Sequence, residues 1–113
     1  MTEDEEETTI KTLHDLLGPQ MSDMVVAYAP VFSRMALTQI EAIKAKLNQK
    51  AIDEALSMIR TDMTLEERVR DSQLITDITI KMVNQHAMDV ARVNEVIASV
   101  LKAIIGILLT AVL

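Results

Sequence analysis

Apolar residues recur at steps of three and four through most of the chain, the spacing of one face of an α-helix. Ile10, Leu13 and Leu17 form a first short stripe. Gly18-Pro19 supplies its stop, a left-handed position followed by a residue that cannot continue the helix. The pattern predicts a helix over about 9–17. A second stripe runs through Met21, Met24, Val25, Tyr28, Phe32, Met35, Ile40, Ile43 and Leu47, and Ala51, Ala55 and Ile59 carry it onward. It predicts helix over about 20–60, kinked or restarted at Pro30, which lacks an N–H and crowds the preceding turn.

Thr61-Asp62-Met63-Thr64 marks a reversal. Thr64 followed by Glu67 has the capping-box form, with Asp62 as an alternative cap. Beyond it the chain has no Pro, and Gly106 is its one Gly, which predicts helix over 64–113. A heptad lattice fits the later part: Val83, Val90, Ile97, Ile104 and Ala111 in one set, His86, Val93, Val100 and Ile107 in the other. The seam weakens before residue 83, where it meets Ser72, Thr76 and Thr79. Ile75 to Ile80 also alternates like a strand, but a lone strand has nothing to pair with, so helix is preferred.

The expected fold class is all-α: a short N-terminal helix, then a long kinked helical hairpin that assembles into an oligomeric or coiled-coil-like bundle. An acidic tail over 1–8 would precede one helical domain over 9–113. The two arms of such a hairpin differ in length. A helix from Pro30 to Arg60 covers about 45 Å, one over 64–113 about 70 Å. Pairing from the turn therefore leaves the most apolar end, Ala103 to Leu113, without cover.

A helix apolar nearly all round is buried, in protein or in lipid. Self-association would place Val90, Val93, Ile97, Val100, Ile104 and Ile107 at the interface. Membrane contact through 96–113 is the alternative, although Lys102 sits near the middle of that stretch and costs about 3 kcal/mol in a bilayer centre. Arg92, Glu95, Ser99, Lys102, Gly106 and Thr110 share one stripe. The stripe reads first as a solvent-facing surface, second as a close helix contact, third as the lining of a lumen.

Composition narrows the classes further. The chain has 113 residues, 2% aromatic, with no Cys and no Trp. Disulfide scaffolds, thiol enzymes and Cys-based zinc sites are excluded. The net charge of −6 comes largely from Glu3, Asp4, Glu5, Glu6 and Glu7. Such a run is normally solvated; the sharper reading is a docking arm for a basic protein partner. Arg60, Arg68 and Arg70 interleave with Asp62, Glu66, Glu67 and Asp71, so they read as a solvated helix surface, and no nucleic-acid face is expected. The acidic opening lacks a secretory pattern, which predicts a cytoplasmic protein or part of a larger assembly, with membrane association as the alternative.

Candidate chemistry is sparse. His14 and His86 are the two histidines, and His86 falls on the heptad seam, where it would set register or respond to pH. Asp53-Glu54 and Glu66-Glu67 are sequence neighbours and point about 100° apart on a helix, so neither is an acid–base pair. No catalytic residue, metal site or cofactor is expected. Met21, Met24, Met35, Met58, Met63, Met82 and Met88 read as core fillers. The leading expectation is a non-enzymatic, self-associating structural protein, with virion components as an analogy. A membrane-active or holin-like helical protein is the alternative, and an adaptor using the acidic tail the third.

Overall fold

A computed structural model describes residues 11–112, all-α through that span. Helix α1 covers 11–17; α2 is Pro19–Ser33, α3 Leu37–Asn48, α4 Ile52–Thr61, α5 Leu65–His86 and α6 Val90–Val112. The acidic tail, Ile10 and the start of the first helix lie outside the described residues.

The ends of these helices follow from local chemistry. Gly18, at φ 58°, donates its N–H to His14 O at 2.8 Å and closes α1. Lys81 Nζ, reaching from α5, binds the α1 carbonyl of Leu17 at 2.8 Å. Pro19 then opens α2 in the first turn, where its missing N–H costs nothing. No fresh start occurs at Pro30. Helix α2 runs through it to Ser33; the carbonyl that loses its donor belongs to Val26, on the exposed side of the helix, where solvent can reach it.

Two breaks divide the stretch expected as helix over 20–60, although Met35 and Ala51 at these breaks belong to its apolar stripe. The chain turns at 34–36, and Gln39 Oε1 accepts the Ala36 N–H at 3.0 Å to start α3. It turns again at Lys50, φ 62°, with Ala51 N–H bonded back to Lys46 O at 2.9 Å in a Schellman-type closure. Thr64 opens α5 with both halves of the capping box: Glu67 N donates to Thr64 Oγ1 at 3.2 Å, and Thr64 N donates to Glu67 Oε1 at 2.9 Å. The helix expected over 64–113 is interrupted at 87–89. Ala87 adopts φ 52°, and Asp89 starts α6 by accepting the Arg92 N–H at 2.8 Å.

That last break removes the length mismatch between the two arms. Helix α6 folds back and contacts α2, α3, α4 and α5. Its residues Ile97, Leu101 and Ile105 join Tyr28 and Phe32 of α2, Ile43 and Leu47 of α3, Ile59 of α4, and Ile78 and Met82 of α5 in one core. Helices α2 and α5 run antiparallel, since Arg34 meets Glu67 and Tyr28 meets Asp71. The bundle measures 37 × 37 × 25 Å. Met21, Met24, Met35, Met63 and Met82 are buried, while Met58 and Met88 pack at the edge of the core.

Candidate functional site

The structure divides the six proposed interface residues of α6. Val93, Ile97, Val100 and Ile104 are at most 2% exposed. They are the surface on which the other helices of the same chain pack. Val90 and Ile107, at 63% and 54%, face outward at the two ends. A seam through Val83, His86 and Val90 is also absent, because the turn at 87–89 redirects the helix. Val83 and His86 are exposed on α5, so within the single chain no seam buries them.

The polar stripe of α6 is largely a solvent-facing surface. Arg92, Glu95, Lys102, Gly106 and Thr110 are exposed, and Ser99 is half-buried. The hydroxyls turn back on their own helix: Ser99 Oγ donates to Glu95 O at 2.9 Å and Thr110 Oγ1 to Gly106 O at 2.8 Å. Beside Glu95, Ser99 and Lys102 lies a shallow open cleft of about 220 Å³, closed on its other side by Leu47, Lys50 and Ile52. Among the described residues no cluster of His, Asp and Glu could hold a metal ion.

Two polar groupings join elements that sequence separates. Asp71, read as part of a charged surface, is fully buried. Its Oδ1 accepts from the Tyr28 hydroxyl, and its Oδ2 accepts from Arg60 Nε at 2.7 Å. Burial pushes the Tyr28 phenol above its ordinary range, and the hydrogen bond to Asp71 and its charge push it further. At the surface, Arg34 forms a two-pronged pair with Glu67, at 2.6 and 3.1 Å, and donates to Asp62 O at 3.1 Å. This pair and the Thr64 N–H hold the Glu67 carboxyl down to about 2, and Glu67 raises Arg34. Both groupings clamp α5 to its neighbours.

What remains is the outer face of α5. Its inner face, Asp71, Leu74, Ile78 and Met82, is buried on the bundle. On the opposite side Leu65, Val69, Ile80 and Val83 are 76%, 61%, 53% and 40% exposed. A helix on the outside of a soluble bundle ordinarily carries polar residues there. The steps Val69, Gln73, Thr76, Ile80, Val83 alternate four and three, the spacing of a second helix's seam. Sequence patterning hid this face because α5 carries apolar residues on both sides, and no single stripe stands out. Compared with protein-family models, curated proteins and solved structures, the chain matches none.

Proposed function

We propose that this is a non-enzymatic helical assembly protein that associates with copies of itself through the outer face of α5. One observation carries the reading: Leu65, Val69, Ile80 and Val83 line the exposed side of a helix whose other side already serves the core. Removing that apolar area from water favours association, at roughly 25 cal/mol per Å² before the costs of association. Light scattering on the full chain without detergent, over a range of concentrations, tests the reading. A discrete oligomer that Ile80→Glu converts to monomer is expected; a monomer at every concentration overturns it.

A second reading has its own observation. The stretch Val90–Thr110 of α6 is long and apolar enough to cross a membrane, though 44% of its most apolar window is buried inside the bundle. Insertion would require the bundle to open and release α6 from α2–α5. Flotation with vesicles separates the readings: retention strengthened by Lys102→Leu supports insertion, and protein that stays in the aqueous fraction supports assembly in solution.

A further inference from the structure

We infer that the occupant of the α5 face is α5 of a second copy, lying antiparallel, in the register that places Arg70 of each chain against the partner subunit's Asp77. The inference rests on the assembly reading above and adds the partner helix, its direction and its alignment. Helices α2 and α6 both pack on α5, whose inner face is buried, and among the described residues Leu65, Val69, Ile80 and Val83 on the outer side stay exposed.

Charge selects the register. Arg70 and Asp77 are exposed, seven residues apart, and on the same flank of the outer seam. Neither side chain forms a hydrogen bond or ion pair within the chain among the described residues. In an antiparallel pair, residues on corresponding flanks meet across the seam in reciprocal fashion. A two-fold axis between residues 74 and 75 sets Arg70 beside the partner's Asp77, and the symmetry repeats the contact. The same axis stacks Val69 on the partner's Ile80 and Gln73 on the partner's Thr76, again twice each. It lies at the middle of the helix, so about 20 residues, or about 30 Å, of α5 are covered.

The competing alignments are worse on the same residues. Sliding by one heptad moves the axis to residue 78, leaves the first turn of α5 without a partner and sets Asp77 facing the partner's Asp77. A parallel pair puts Arg70 level with the partner's Arg70 and Asp77 level with the partner's Asp77. The opposite flank, Ser72, Thr79 and His86, is not a carboxylate flank and so adds no acidic repulsion to the antiparallel choice.

The chain has no Cys, which makes cross-linking decisive. Val69→Cys and Ile80→Cys are made in the full chain and oxidised separately and as an equal mixture. A disulfide brings Cα atoms to about 6 Å, so the inferred register gives the bridge in the mixture and little in either variant alone. A bridge in each variant alone means a parallel pair and overturns the inference. Failure to cross-link in all three samples, with the wild-type chain a dimer by mass, overturns the α5 pairing but leaves self-association standing. A wild-type monomer overturns both. Charge reversal gives an independent reading on the same exposed flank. Arg70→Asp and Asp77→Arg should each weaken the dimer about tenfold, and mixing the two should restore it, because both contacts are again between opposite charges. A mixture no tighter than the single variants overturns the register.

Discussion

Tyr28 and Asp71 lie 43 positions apart in sequence, and the Tyr28 hydroxyl donates to Asp71 Oδ1 where α2 meets α5. Arg60 Nε approaches the other oxygen from α4, so one buried carboxylate ties three helices together. A buried charge with its donors in place is tolerated; removing one donor strands its partner. Tyr28→Phe should destabilise the fold by about 1–3 kcal/mol, and Asp71→Ala by about as much or more, since it orphans the phenol. Denaturant unfolding of both single variants and of the double variant checks this. The double variant should lose less than the sum of the singles, the mark of a shared contact.

The same contact makes the fold sensitive to alkali. Tyr28 is the one Tyr of the chain, so tyrosinate absorbance reports a single group. Because burial raises its pKa, the folded state holds the phenolic proton more tightly than the unfolded state. The stability this represents is complete below the ordinary phenol value of about 10 and is lost as pH rises above it. Tyrosinate should therefore appear together with the loss of helical circular dichroism. Ionisation well before unfolding would contradict the buried hydrogen bond.

Glu67 gives the opposite dependence at acid pH. Its carboxyl is held at about 2, below the ordinary 4.5, first by Arg34 and then by the Thr64 N–H. A depressed carboxyl contributes stability that is present above about pH 4.5 and disappears as pH falls toward 2. Glu67→Gln should flatten this part of the stability profile, and added salt should weaken the effect in wild type, because the pair is solvent-exposed. Urea midpoints between pH 2 and 6, in low and high salt, measure both.

The legible parts of the fold are those encoded by side chains with one strong local preference. Gly18-Pro19 and the Thr64–Glu67 box end and begin helices through steric or hydrogen-bonding rules that operate within four residues. The turns at Lys50 and Ala87 carry no such sign, because neither Lys nor Ala favours a positive φ. Tertiary packing imposes those turns, and with them the return of α6 into the core. The apolar stripe of Val93, Ile97, Val100 and Ile104 is legible as a surface that needs cover, but the pattern does not name the cover, which within this chain comes from α2 to α5. Asp71 was illegible for a related reason: in a charged run its burial depends on Tyr28, 43 residues away.

Backbone strain at Ala87 is open to direct test. Ala87 sits at φ 52° and ψ 34°, where its Cβ crowds the following carbonyl. Its side chain is exposed, so nothing in the packing rewards the methyl group. Ala87→Gly should stabilise the chain by about 0.5–1 kcal/mol, seen as a higher thermal midpoint. Gly18→Ala provides the reverse case. The nearest atom to a new Cβ there is Lys81 Nζ at 3.6 Å, an ordinary contact, so any loss reflects the φ of 58° rather than a clash.

Ile104 and Ile107 distinguish a helix spent on its own core from one reserved for a partner. They lie three residues apart on α6 and belong to the same apolar stripe in sequence, yet Ile104 is 2% exposed and Ile107 54%. Truncating Ile104 leaves a cavity among α6's neighbours, so Ile104→Ala should cost about 2–4 kcal/mol in unimolecular unfolding. Ile107→Ala removes a side chain already half in water and should cost no more than about 0.5 kcal/mol. The comparison is made at a concentration where the chain is monomeric, and again where it associates. If Ile104→Ala instead spared the monomer and weakened only the oligomer, α6 would be the interface and the bundle would have to close around a second chain. Equal, small losses at both positions under detergent-free conditions would mean that α6 does not occupy the core, and the membrane-inserted helix would become the stronger reading.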